Sequence, residues 1–135
     1  MKLLSRVFSL KTTGADVLRL VVCAIFFTHG SYDLLHGSIP ELGGVLKKEG
    51  FPAGVVLAYM VCVAETGGTV LLAARFLALP VTLILSLICL TGIMLFHRHH
   101  GFFVVGPSSG GWEYSALLIT CLLVTAWENR ASKLF

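Results

Sequence analysis

The sequence predicts an all-α fold, a bundle of four transmembrane helices with a short amphipathic helix in the first extracytoplasmic loop. Three observations carry that reading. Hydrophobic residues fill 56% of the 135 positions. Charged residues fill only 13%, where soluble domains carry roughly 25%. The mean hydropathy is +0.89, and the apolar residues fall into three runs near the length of about 20 that crosses a bilayer, plus a shorter fourth.

The first span is expected at 16–35, with Arg19 near one end and His29 inside it. Lys2, Arg6 and Lys11 give it a basic lead. Asp16 and Arg19 interrupt the apolar region, and no small-residue cleavage site follows, so this helix is expected to be retained. The connection after it, SIPELGGVLKKEGFP, reads as a helix over 39–49. Ser38 with Glu41 three residues on is a capping-box pattern, and Pro40 suits a first turn. Lys47 and Lys48 suit the last turn, and Gly50 and Pro52 end it. Leu42, Val45 and Leu46 form one apolar face, expected to lie along the outer surface.

The second span, 53–74, is apolar apart from Glu65. Gly54, Ala58, Cys62 and Thr66 recur every fourth residue, a stripe that lets membrane helices approach closely. The third span, 76–96, contains the uncharged run VTLILSLICLTGIMLF and exits into the Gly-rich loop HRHHGFFVVGPSSGG. The fourth is expected at 113–128, framed by Trp112 and Trp127 like interfacial belts. Short connections make neighbouring helices antiparallel. The basic residues outside the spans divide between Lys2, Arg6, Lys11, Arg75, Arg130 and Lys133 on the side of the termini and Lys47, Lys48 and Arg98 on the other. By the positive-inside rule both termini are expected to be cytoplasmic, in the cell membrane.

The net charge of +3 comes without a basic tract, so nothing points to nucleic acid. Cys23, Cys62, Cys89 and Cys121 lie in four different apolar runs and read as buried, inert thiols. No nucleophile constellation, dinucleotide fingerprint or cofactor-attachment motif is present, so the chain has no catalytic motif of its own.

The residues that ask for an explanation are the polar ones at membrane depth, because an ionisable group in the bilayer core costs roughly 2.5–3.5 kcal/mol. Arg19, His29 and Glu65 are the candidates for one intramembrane pocket. At the helical rise, His29 lies about 20 Å above Asp16, and Glu65 about 15 Å above Arg75. The two levels differ by about 5 Å, within side-chain reach if the helices pack. Arg19 sits about 10 Å below Glu65, and Asp16, three residues back on the same face, is its easier partner. At the outer rim, Asp33, His36, His97 and Glu113 form a second candidate group, with His99 and His100 beside them. No metal is expected there, since the sequence offers proximity to a loop rather than fixed ligands with supporting contacts.

Taken in order, Arg19 with FFTHGSYDLL, GFPAG, ETGGTVLLAAR, HRHHGFF and GGWEY resemble the DoxX family of small four-helix membrane proteins. Ala24 stands where that family usually carries Gly, and Asp33 near a position where it carries Lys. The resemblance implies a small subunit or accessory of a membrane redox complex, quinone-linked or tied to oxidative stress. It also implies a quinone as candidate cofactor. The implied partners are the lipid bilayer, membrane or soluble redox proteins, and further copies of the chain. The alternative is a non-catalytic membrane scaffold whose buried polar residues specify helix packing.

Overall fold

A computed structural model of the chain describes residues 13–131, and the basic lead Lys2, Arg6 and Lys11 and the terminal Lys133 lie outside that range. Among the described residues five helices follow in order: α1 (Gly14–His36), α2 (Ile39–Lys48), α3 (Gly54–Ala73), α4 (Ala78–His100) and α5 (Glu113–Ala131). There is no strand among the described residues. α1, α3 and α4 are each long and apolar enough to cross a membrane. α5 is a 19-residue helix with Glu113, Glu128 and Arg130 at its ends, and length and composition alone do not make it a span.

The start of α1 is fixed by a reciprocal cap. The Thr13 hydroxyl accepts from the Asp16 backbone N–H at 3.3 Å, and the Asp16 carboxylate accepts from the Thr13 N–H at 3.1 Å. At the other end Gly37, in the left-handed region at φ 74°, turns the chain into α2.

The outer helix forms where the sequence places it, but its cap differs from expectation. Ser38 has helical backbone angles and makes no side-chain cap bond, so the Ser38–Glu41 capping box does not form. The start of α3 covers the inner face of α2. Ile39, Gly43 and Leu46 are buried, and Ile39 and Leu46 cluster with Ala58 and Cys62 of α3 and with Leu95 of α4. A Cβ on Gly43 would stand 2.7 Å from the Val55 Cα, and one on Gly54 would run into the Gly43 carbonyl oxygen. Two glycines therefore set this contact, and Gly54→Val is expected to lift α2 off α3. Faster amide hydrogen exchange across 39–48 than in the wild type would register the release.

α3 is the least regular of the long helices. Its middle, Ala64–Gly68, is a π-helical turn carrying Glu65. A π-turn loosens backbone carbonyls that lipid cannot satisfy. The two threonines of ETGGT serve those carbonyls. Thr66 donates to Cys62 O at 2.8 Å, and Thr69 donates to Glu65 O at 2.6 Å. The buried positions follow the turn, shifting from Gly54, Ala58 and Cys62 to Glu65, Thr69 and Leu72.

α3 passes to α4 through a tight turn with two non-glycine residues in the left-handed region, Arg75 (φ 58°) and Leu77 (φ 50°). The bundle core is built from Val22, Cys23 and Phe26 of α1, Leu72 of α3, Val81, Leu85 and Cys89 of α4, and Leu118 and Leu122 of α5. The outer surface is apolar, with Val21, Val56, Met60, Leu83, Leu87 and Leu90 half exposed or more. Such a surface suits an acyl-chain solvent. Trp127 is exposed, whereas Trp112 packs edge-on against Phe102 with centroids 4.8 Å apart.

Candidate functional site

The antiparallel packing of α1 and α3 brings His29 and Glu65 together. Nδ1 of His29 lies 3.1 Å from Oε2 of Glu65, and the imidazole N–H donates to the carboxylate. The two side chains occupy very different surroundings, with Glu65 5% exposed and His29 68% exposed. The carboxylate is therefore enclosed by the bundle, while the ring stands at its flank. Among the described residues, Nε2 of His29 has no hydrogen-bond partner. His29 lies about 12 Å along α1 from the Gly37 cap, which places that flank well inside the span.

Gly30 makes the pair geometrically accessible. A Cβ on it would sit 2.7 Å from the Glu65 Cβ and 3.1 Å from the Cys62 carbonyl oxygen. Only the absent side chain lets α1 come close enough for its neighbour His29 to reach across. Asp33, one turn further along α1, places Oδ2 3.9 Å from the same His29 Nδ1. It thus belongs with the pair rather than with the outer rim. Its side chain is 20% exposed, between the extremes of the other two.

Arg19 is not in this pocket. It lies at the opposite end of α1, 3% exposed, and binds Asp16 at 3.1 Å. Its guanidinium also donates to the Leu72 carbonyl at 3.3 Å and to the Ala73 carbonyl, closing the C-terminal end of α3. Arg75 completes the cluster by pairing with the same Asp16 oxygen. Asp16 as the partner of Arg19 follows from the spacing of three. Arg75 does not, since it is 59 residues from Asp16 and reads in the sequence as one more basic residue between spans.

The rim residues do not form a set. His36 stacks on Tyr32, centroids 4.0 Å apart, and its Nδ1–H donates to the Tyr32 carbonyl. His97 donates to the Gly110 carbonyl at 2.8 Å, and His100 to the Phe96 carbonyl at 2.9 Å. Glu113 accepts from the Val104 N–H at 2.7 Å and so holds the 101–112 loop against the start of α5. No three His, Cys, Asp or Glu residues among the described ones are grouped to hold a metal ion. Cys23, Cys62, Cys89 and Cys121 are free thiols.

The glycines after Glu65 divide their roles. A Cβ on Gly68 would make ordinary contact with Val81 of α4 at 3.5 Å, while Gly67 has open space. Gly67 borders a wholly apolar groove of about 490 Å³ between α3 and α4, lined also by Ala64, Leu71, Pro80 and Ile84.

The DoxX family model matches residues 14–98, from the start of α1 to the last turn of α4. The chain belongs to the DoxX family. The match takes in the His29–Glu65 pair, Asp33 and the Asp16–Arg19–Arg75 cluster, and stops before the 101–112 loop and α5. Neither curated proteins nor solved structures give a significant match to the chain. Family membership and the three apolar helices together make this a multi-pass membrane protein of DoxX type, set in a lipid bilayer.

Proposed function

We propose that this DoxX protein is a small accessory subunit of a redox complex in the cytoplasmic membrane. In this reading α5 is the fourth span, both termini are cytoplasmic, and the His29–Glu65 pair hydrogen-bonds the head group of a quinone-type molecule arriving through the lipid. The observation that carries it is the exposure contrast within one hydrogen bond. An imidazole at the flank of the bundle is oriented by a buried carboxylate 3.1 Å away. With Nδ1 occupied by Glu65, Nε2 of this exposed ring is the atom left to meet a ligand. A quinone or quinol oxygen is matched to a nitrogen that can donate or accept there. Quinone itself is suggested by kinship with the family. The redox chemistry belongs to that cofactor and its partner protein, and the chain supplies orientation and a proton-carrying group.

The scaffold reading has its own support in the Asp16–Arg19–Arg75 cluster, which joins α1 to the end of α3 through ion pairs and backbone hydrogen bonds. The two readings separate on one pair of variants. In native membranes, Glu65→Gln and His29→Ala are expected to lower quinol-dependent oxidation by about 10²-fold, the lower end of what a positioned acid–base group contributes. Protein abundance is expected to stay within about twofold of the wild type, since His29 is largely exposed and Glu65→Gln keeps the side-chain shape. Unchanged oxidation at normal abundance defeats the quinone reading. A fall in abundance with no separate activity defect favours the scaffold.

A further inference from the structure

Within one turn of His29, α1 carries a further acid on one side only. Nδ1 of His29 stands between two carboxylates, Glu65 at 3.1 Å and Asp33 at 3.9 Å. Exposure separates the two acids: the Glu65 side chain is enclosed at 5%, and Asp33 is 20% exposed about 6 Å nearer the loop end of α1. Tyr32 adjoins Asp33 in the chain and His36 lies beyond it at the end of α1, both exposed. Towards the other end of the bundle, α1 offers no comparable step. Between His29 and Arg19 it presents Cys23 and otherwise apolar or hydroxyl side chains, with Val22 and Phe26 buried in the core. Arg19 itself is engaged by Asp16 and two carbonyl groups. Of the groups on neighbouring elements, Cys62 of α3 and Cys89 of α4 lie within electrostatic reach of Glu65, and both are buried thiols.

We propose that Asp33 is the proton port of the His29–Glu65 pair, connecting it to the aqueous phase at the loop end of the bundle and not to the end that carries the α3–α4 turn. The step involves protons alone. The imidazole takes a proton at Nε2 and gives up the one on Nδ1 to Oδ2 of Asp33. A small rotation of either side chain shortens the 3.9 Å gap to hydrogen-bond length. Asp33 then releases that proton to water, leaving an unchanged Glu65 carboxylate and an imidazole protonated at Nε2, and rotation of the ring turns the remaining N–H back toward Glu65. No electron moves, and no co-reactant beyond water is required. The inference rests on the proposed reading in taking His29–Glu65 as the working pair. It adds a direction: protons drawn from a ligand at the flank leave on the loop side.

The test needs no quinone, so its failure is distinguishable from failure of the redox reading. Protein labelled with ¹⁵N-histidine is reconstituted in proton-tight liposomes with the loop end sorted outward. The His29 signal is assigned by its loss in His29→Gln. A pH step from 8 to about 5, spanning the ordinary imidazole range, is applied to one compartment at a time. A step on the loop side is expected to protonate His29 promptly. A step on the opposite side is expected to act only after an ionophore equilibrates the compartments. Asp33→Asn is expected to slow the loop-side response by at least about tenfold, and Asp33→Glu to restore it. Folding of each variant is read from the unchanged signals of His97 and His100. Equal response from both sides, or a response indifferent to Asp33→Asn, overturns the proposal. If sidedness and the Asp33 effect hold while Glu65→Gln leaves quinol oxidation untouched, the port stands and the quinone reading falls.

Discussion

Asp16→Ala is expected to destabilise the protein by about 3–5 kcal/mol, the cost of breaking a buried ion pair by removing one partner. The carboxylate has three tasks at once. It accepts from the Thr13 N–H, from the Arg19 guanidinium and from Arg75. Removing it takes a carboxylate from Arg19, which is 3% exposed and keeps its bonds to the Leu72 and Ala73 carbonyls. Arg75 loses less, because its side chain is 31% exposed and can reach the polar headgroup zone. It also keeps the strained left-handed backbone that the ion pair helps to hold. Arg75→Gly is therefore expected to be much milder, since the lost pair is offset by about 1 kcal/mol of relieved backbone strain. Detergent-solubilised protein followed through denaturant or thermal unfolding gives both values. A stability for Asp16→Ala within about 0.5 kcal/mol of wild type, the range of an inconsequential surface change, contradicts the account of the cluster.

The second large effect is expected at Gly30, where a single methyl group meets Glu65 head on. Gly30→Ala puts a carbon 2.7 Å from the Glu65 Cβ and 3.2 Å from Oε2, so α1 and α3 must separate. Overpacking of this kind costs about 1–3 kcal/mol, and Gly30→Leu is expected to exceed that range. The displacement also opens the His29–Glu65 hydrogen bond, so the variant carries a functional defect along with the structural one. Gly67→Ala is the matched control. It lies two residues from Glu65 but has open space around its Cβ position. It is expected to be neutral, or to gain up to about 1 kcal/mol from better helix propensity. Unfolding midpoints of the two variants, measured side by side, decide the matter. Equal stabilities remove the argument that the α1–α3 approach is set at Gly30.

These two positions show where sequence reasoning reached its limit. The depth arithmetic put His29 and Glu65 at similar levels, because helical rise is fixed and each span was anchored by a charged residue at one end. It could not say which way the side chains faced around their helices. That angular information gives the pair its asymmetry, with Glu65 turned inward and His29 only grazing it from the flank. The π-turn at Ala64–Gly68 adds a residue to one turn of α3, and a count at 3.6 residues per turn carries no such insertion. The threonines spaced around two glycines in ETGGT were the available signal. Arg19 fell outside the pocket for a related reason. Besides the local Asp16, its partners include two carbonyls at the end of α3, and those reach it only when two distant segments pack.

The outer helix teaches the same lesson from the other direction. Pro40, Lys47 and Lys48 mark local preferences, and the helix forms at Ile39–Lys48. The Ser38–Glu41 pattern was equally local and does not make its cap, since Ser38 adopts helical angles in the short link that follows Gly37. Where α2 comes to rest depends on two glycines 11 positions apart that let its backbone touch α3.

By itself the sequence determined that this chain is a membrane protein of helices and roughly where those helices run. Hydrophobicity and helical rise are properties of consecutive residues, and a bilayer reads them one segment at a time. Only the tertiary structure decided which polar groups share a site. A buried charge takes the partner that packing delivers, and here packing split the expected pocket in two: His29 with Glu65 and Asp33 near the loop end, Arg19 with Asp16 and Arg75 at the other.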